Sequence, residues 1–210
     1  MLAHKEIELK FPLTEVEYRT LIKGLSEKYE QTKLNQNDFV IKTKSGENVR
    51  VRREEGRNLL THKKKIYAAD GTFLYCQESE SLIDATHAQN IIDIVSELGI
   101  ANMPNELCAN VDAFQTWLDN ALMPQKAYSV HIHKRRIEFK EGAYTYVLDD
   151  VENLGYFLEI EYLVPLDDSN NETKLRTQMR ERLKTLGLSD RENIIHGYTA
   201  LMHEKDEACG

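Results

Sequence analysis

The sequence predicts an α+β fold built mainly from antiparallel hairpins. Short stretches in which apolar and charged residues alternate with a two-residue period recur along the 210 residues. Turn signals join them, among them Ser45-Gly46-Glu47-Asn48, Asp70-Gly71 and Glu141-Gly142. The stretches fall into two runs, and the region between the runs has a helical period instead.

Taken in order, residues 5–11 form a strand with two unlike faces: Ile7, Leu9 and Phe11 on one, Glu6, Glu8 and Lys10 on the other. Thr14-Glu15-Val16-Glu17 has the form of a capping box, and Leu21, Ile22 and Leu25 continue at helical spacing toward residue 29. Residues 36–43, 49–52, 59–67 and 72–81 then read as four strands of a meander. Val49-Arg50-Val51-Arg52 alternates strictly. Over residues 84–98 an apolar face of Ala88, Ile91, Ile92, Val95 and Leu98 predicts a helix closed by Gly99. Residues 111–122 predict another, packed through Phe114, Trp117 and Leu118. Strands resume at 127–139, 144–149 and 157–163. Residues 172–186 read as a helix ending at Gly187, residues 194–202 as a further turn or two, and 204–210 as a frayed tail. Without a linker or repeat to divide it, the chain reads as a single domain over 1–203 with a flexible tail over 204–210.

A chain of this length can bury roughly 70% of its unfolded surface, enough for a core without staples. The net charge of −8 speaks against a nucleic-acid coat, which needs a basic excess or stripe. Cys76, Cys108 and Cys209 lie far apart in no metal-ligand spacing, which points to a reducing compartment. Neither a signal-peptide core nor a run of about 18 apolar residues is present, so the expectation is a soluble cytoplasmic protein with no membrane partner.

The charged rows carry the functional reading. Seven cations (Lys10, Arg50, Arg52, Lys63, Lys65, Lys134, Arg136) and five acids (Glu6, Glu8, Asp149, Glu159, Glu161) fall on such rows, mostly at i, i+2 on one side of a strand. An open sheet would leave them solvated. Closed around a lumen, uncompensated charges would cost several kcal/mol each, on the order of the penalty for breaking a buried pair. Clustered carboxylates suit hard cations such as Mg²⁺ or Mn²⁺. Clustered Arg and Lys suit a polyanion. A metal–polyphosphate complex satisfies both.

These residues also resemble a known family. Glu6-x-Glu8-x-Lys10 matches the E-x-E-x-K signature of the CYTH superfamily, the triphosphate tunnel metalloenzymes, and Arg50-x-Arg52, Lys63-x-Lys65, Lys134-x-Arg136 and Asp149 through Glu159-x-Glu161 follow in the family's order. Gly197-Tyr198-Thr199-Ala200-Leu201-Met202 is similar to its usual ending. The resemblance implies an eight-stranded antiparallel β-barrel, a triphosphate tunnel with helices packed outside. It implies Asp149, Glu159 and Glu161 as metal ligands, with Glu6 and Glu8 supporting a Mg²⁺ or Mn²⁺ ion or positioning water. Lys10, Arg50, Arg52, Lys63, Lys65, Lys134 and Arg136 would hold the triphosphate, and Glu6, Glu8 and Lys65 would be catalytic. The partner is then a triphosphate small molecule (tripolyphosphate, ATP or thiamine triphosphate), handled by a monomer or homodimer. Water as nucleophile gives hydrolysis, and a ribose hydroxyl gives cyclic AMP and pyrophosphate. A non-catalytic polyphosphate- or nucleotide-binding module is the third reading.

Other features take plain structural readings. His131 and His133 are expected to face outward. Lys174, Arg176, Arg180, Arg182 and Lys184 are expected to form a solvated helix face.

Overall fold

Strands with one apolar and one charged face satisfy both only if the sheet curls, so that one face meets helices and the other lines a lumen. This is the arrangement found. The computed structural model describes residues 2–67, 69–71, 73–165 and 172–209. The strands are β1 (Leu2–Leu13), β2 (Gln31–Thr43), β3 (Asn48–Glu54), β4 (Arg57–Tyr67), β5 (Phe73–Leu82), β6 (Lys126–Glu141), β7 (Tyr144–Val151) and β8 (Gly155–Pro165). They close into an antiparallel barrel in the order β1-β5-β4-β3-β2-β6-β7-β8. Two meanders, β2 to β5 and β6 to β8, meet along β2 and β6 on one side, and β1 bridges β5 and β8 on the other.

Among the described residues five α-helices pack outside: α1 (Glu15–Ser26), α2 (Ala88–Glu97), α3 (Val111–Leu122), α4 (Glu172–Thr185) and α5 (Tyr198–Cys209). Thr14 and Glu17 form the expected capping box of α1, the Glu17 amide donating to Thr14 Oγ1 at 3.3 Å and the Thr14 amide to Glu17 Oε2 at 2.7 Å. Asn110 caps α3 by accepting from the Asp112 and Ala113 amides. Gly99 and Gly187 end their helical stretches at φ +74° and +76°, which only glycine adopts without strain.

Three apolar clusters hold helices to the barrel, one of them joining Val130, Ile132, Val151 and Phe157 to Tyr198 and Met202 of α5. Ile7, Leu9 and Phe11 of β1 join Leu148, Leu158 and Ile160 under α1 and α4. Val49, Val51 and Leu60 join Ile91, Ile94, Phe114 and Leu118 under α2 and α3, with Trp117 packed against them as expected. Cys76 and Cys108 are buried and free. Among the described residues, no helix is long and apolar enough to cross a membrane.

Four details depart from the sequence reading. β2 begins at Gln31, because pairing with β6 draws its polar first residues into the sheet. The helix over 84–98 opens with a 3-10 turn, Ala85–His87, before α2. The α4 arginines are not a solvated face. Arg176 donates to the Glu8 carbonyl at 3.1 Å, and Arg180 donates to the Arg191 carbonyl at 2.8 Å and lies over the Phe11 ring. Arg182 reaches Glu141 at 3.0 Å and stacks on Tyr144. Helix α5 continues to Cys209, so residues 204–209 are helical where the sequence suggests fraying. Thr72 and Gly210 lie outside the described residues.

Phe114 is fully buried in the α2–α3 layer and far from the charged lumen. Phe114→Ala is expected to lower unfolding free energy by about 3–5 kcal/mol, read from the urea midpoint.

Candidate active site

The two-residue period turns each charged row inward, where the rows surround a cavity of about 520 Å³. Register then decides which charges meet. Lys10 lies opposite Glu159 and Glu8 opposite Glu161 across β1 and β8. Lys63 faces Glu78 across β4 and β5, Asp38 faces Arg52 across β2 and β3, and Arg136 faces Asp149 across β6 and β7. Directly opposed residues on one face are near enough for their side chains to bond.

Arg136 is the most connected of these groups. Its Nε and Nη2 donate to the two Asp149 oxygens at 2.8 and 2.7 Å, Nη2 also reaches Glu159 at 2.7 Å, and Nη1 lies 3.5 Å from Glu161. Lys10 Nζ sits 2.9 Å from the other Glu159 oxygen. The Tyr198 hydroxyl donates to Asp149 at 3.0 Å, and its ring lies beneath Lys10 Nζ and Lys134 Nζ, 4.3 and 5.2 Å from the centroid. Arg52 grips Asp38 through two bonds of 2.7 and 2.8 Å. Lys63 bridges Glu6 and Glu78, the latter at 2.6 Å.

Charge is unevenly spread over this wall. Burial would raise the Glu159 carboxyl, but Lys10 and Arg136 hold it well below the usual range. Burial, reinforced by Glu159 and Glu8 against the pull of Arg136, pushes Glu161 up to about 8. Burial likewise raises Glu6, with Lys63 opposing and Glu78 and Glu8 adding to the rise. Burial and the neighbouring Arg136 and Arg52 bring Lys134 down to about 8, with Asp149 and Asp38 resisting. On one wall four carboxyls, Glu6, Glu8, Glu78 and Glu161, gather about Lys63, which pairs with the first three. The wall of Arg50, Arg52, Lys134 and Arg136 crowds cations. The Arg50 Nε is buried without a hydrogen-bond partner among the described residues.

The structure brings nearly all the sequence-predicted residues together. Glu6, Glu8, Lys10, Arg50, Arg52, Lys63, Lys65, Lys134, Arg136, Glu159 and Glu161 all line the cavity. Of the lysine run, Lys63 and Lys65 face in, while Lys64 is exposed on the outside near Glu47. Asp149 differs: it is fully buried behind the wall, its oxygens taken by Arg136 and Tyr198. His131 and His133 are exposed on the outer face, as expected. Sequence reasoning missed Asp38, Lys42, Asn48, Glu78 and Glu80, which also line the lumen. Glu78-x-Glu80 carries the same i, i+2 signal as the rows that were recognised. Asp38 and Lys42 share the inward parity of β2, masked there by the run Phe39-Val40-Ile41.

Among the described residues, no three His, Cys, Asp or Glu side chains are gathered as a ready ligand set for a metal ion. Lys10, Lys63 and Arg136 lie between the carboxylates instead. By donor type the site nevertheless fits a hard divalent cation. Glu6, Glu8 and Glu161 supply oxygen donors on adjoining strands, and burial, with neighbouring carboxylates adding to it, raises the Glu6 and Glu161 carboxyls there.

The family model for the CYTH domain matches residues 4–198. No match is found among curated proteins. Solved structures share the fold at low identity. The PH1819 protein of Pyrococcus horikoshii OT3 is 22% identical, with a TM-score of 0.62, covering 95% of this chain and 99% of its own. HpAC1 of Hippeastrum, a putative adenylyl cyclase described as having a dominant triphosphatase activity, is 18% identical with a TM-score of 0.59, covering 96% of each chain. A putative adenylate cyclase of Bacillus halodurans is 17% identical with a TM-score of 0.56, covering 94% of this chain and 96% of its own.

Removing Arg136 leaves Asp149 and Glu159 buried with fewer partners. Arg136→Met is expected to cost about 3–5 kcal/mol in a denaturant melt, and adding Asp149→Asn to recover part of it. A pH prediction follows from Glu161. Folded, it keeps its proton to about pH 8, whereas an unfolded glutamate loses it near about 4.3. The folded state therefore binds more protons between those values, and stability falls as pH rises through them. The metal-free urea midpoint is expected to decline from pH 5 to pH 8, and Glu161→Gln to flatten the decline.

Proposed function

Because the chain belongs to the CYTH domain family, we propose that its charged barrel is a divalent-metal-dependent triphosphatase that hydrolyses inorganic tripolyphosphate or a nucleoside or other organic triphosphate. The observation that carries this reading is the two-sided lumen, with gathered carboxylates along β1, β5 and β8 and crowded cations along β2, β3 and β6. A polyanion alone would be repelled by one wall and a cation alone by the other. A metal–triphosphate complex complements both.

In this proposal Arg50, Arg52, Lys134 and Arg136 grip phosphate oxygens, joined by Lys10, Lys63 and Lys65 on the facing strands. Arg50, with an unpartnered buried Nε, and Lys134, held only near an ordinary neutral pH range, gain most from an arriving anion. Glu159, Glu161, Glu6 and Glu8 would hold Mg²⁺ or Mn²⁺, which when bound supplies charge neutralisation on the phosphate oxygens. Asp149, sealed behind the wall, orients Arg136 and is the least direct of the proposed ligands. Glu6 and Glu8 position the attacking water and accept its proton, and Lys65 stabilises charge on the departing phosphate. The cradle does most of the work by fixing the phosphate chain against the nucleophile.

The alternative is class IV adenylate cyclase chemistry, in which the ribose 3′-hydroxyl of ATP attacks the α-phosphate. The description of HpAC1, a cyclase-like protein with a dominant triphosphatase activity, favours hydrolysis as the first reading. Incubation with tripolyphosphate and with ATP, each with Mg²⁺ or Mn²⁺, separates the cases. Phosphate release supports hydrolysis, and cyclic AMP with pyrophosphate supports cyclisation. Binding without any of these products leaves only a binding module.

Glu159→Ala or Glu161→Ala is expected to reduce turnover to background while the circular dichroism spectrum and a cooperative melt persist. Activity retained in both would refute the metal assignment. Binding of Mn²⁺ at pH 7 is expected to release a proton from the raised carboxyls, seen in calorimetry as a binding heat that varies with the ionisation enthalpy of the buffer.

A further inference from the structure

The arginines of the cationic wall are held in two different ways. Asp38 on β2 lies directly opposite Arg52 on β3, and Asp149 on β7 lies directly opposite Arg136 on β6. The two pairs share one atomic pattern. In each, Nε and Nη2 donate to the two carboxylate oxygens, at 2.7 and 2.8 Å from Arg52 and at 2.8 and 2.7 Å from Arg136. A carboxylate that takes this edge of a guanidinium fixes the plane of the fork. The third nitrogen is left over: Arg52 lines the cavity, and its Nη1 bonds to nothing among the described residues. Arg50, on the same face of β3, has no such clamp. Its Nη2 donates to Thr61 at 3.1 Å and stands 3.6 Å from Glu80, and its Nε is unpartnered.

A carboxylate in this position calls for a reason. Asp38 is 2% exposed and stands among Arg52, Arg50 and Lys134, on the wall proposed to receive an anion. Burial would raise its carboxyl, but those cations, Arg52 foremost, hold it well below the usual range, so it is charged at any working pH. By charge alone it opposes the ligand. Its two hydrogen bonds supply what charge does not, a planar donor set at a fixed angle before the ligand arrives.

We propose that Asp38 is a positioning residue for the phosphate site: by clamping the Nε and Nη2 edge of Arg52 it presents Nη1 to a phosphate oxygen in the lumen, as the counterpart of Asp149 beside Arg136. Arg52 is thus preset, while Arg50, less restrained, adjusts to the ligand. The inference rests on the triphosphate reading of the tunnel and deepens it.

The test uses Asp38→Asn and Asp38→Glu in the full chain. It reads the metal-free Kd for inorganic tripolyphosphate by calorimetry, and KM and kcat with Mg²⁺ or Mn²⁺. Asparagine can accept only one of the two bonds, and glutamate keeps the charge but sets its carboxylate one methylene too far along. Both variants are expected to raise Kd and KM about three- to tenfold. They should change kcat by less than about twofold, since the grip is made equally before and during reaction. Arg52→Lys is expected to weaken binding similarly, and Asp38→Asn added to it to have little further effect. The proposal is overturned if Asp38→Asn tightens tripolyphosphate, the result that charge alone gives. It is overturned too if Asp38→Glu binds as the native protein does, or if the Asp38→Asn and Arg52→Lys effects multiply. A reading on the native protein does not depend on any variant folding. The two Nη groups of Arg52 are expected to give separate NMR signals, because a clamped fork cannot rotate about its Nε–Cζ bond, and averaged signals overturn the proposal. Absence of turnover for every triphosphate would sink the triphosphatase reading alone, and the Kd comparison would still decide this one. A native protein that does not bind tripolyphosphate overturns both.

Discussion

Arg136 holds Asp149 and Glu159 from two different strands while standing within 3.5 Å of Glu161 on a third contact. Much of the lumen is arranged around that guanidinium. Its planar fork can satisfy several carboxylates at fixed angles, which a lysine ammonium cannot. Asp149, held in this way, in turn accepts from Tyr198 and fixes a ring beneath Lys10 and Lys134. A barrel interior lined with ions is tolerable only when each buried charge meets an opposite one. The closed register supplies those meetings strand by strand. The same condition explains why the carboxylates and cations cannot be read one at a time: a change to any one alters what its neighbours can bear.

Much of the fold and the site was legible because barrel geometry and side-chain alternation share a period of two. Any strand carrying charge at i, i+2 declared its inward face, so Glu6, Glu8, Arg50, Arg52, Glu159 and Glu161 could be placed before any pairing was known. What stayed hidden depended on pairing itself. Asp38 lies within an apolar run whose alternation is blurred, because Phe39 and Ile41 pack under α2 and α3 while Val40 faces the interior. Residues 31–35 carry little strand pattern and become strand through their bonds to β6. The arginines of α4 look like solvent-facing charges in a sequence, since only the tertiary structure shows that they reach backbone carbonyls and aromatic rings. Residues 204–209 are polar and lack an apolar period, yet their helix is tied back by His203 stacking on Tyr128 at 3.7 Å and by Lys205 bonding to the Asn153 carbonyl.

The lumen separates two kinds of requirement. Deep in the barrel the wall is lined with carboxylates and cations, a lining whose donor types suit anionic oxygens and a hard cation. At the end where β6 begins, Tyr128 and Asn48 line the wall beside Lys42, and they could be altered without disturbing the buried ion pairs. A fold divided in this way lets the reacting end of a ligand stay constant while the remainder changes, which is one physical reason that barrel architecture by itself does not fix a reaction.

β1 pairs with β5 only from Leu2 to Glu6, although its pairing with β8 continues to Leu13. The edge left open past Glu6 is closed by side chains and loop. Arg176 takes the Glu8 carbonyl, Asn193 Oδ1 takes the Lys10 amide at 2.8 Å, and the Ile194 amide donates to the Lys10 carbonyl at 2.8 Å. The segment that seals this edge runs directly into residues 196–200, which form part of the cavity wall. The distal part of the chain is thus mechanically coupled to the lumen at Lys10, bonded on its backbone to the sealing segment and on its side chain to Glu159, and again where Tyr198 donates to Asp149 and Lys65 to the Ile195 carbonyl. Cleavage, fusion or a docking event that pulls on helix α5 would be transmitted to the ion-lined interior rather than absorbed at the surface.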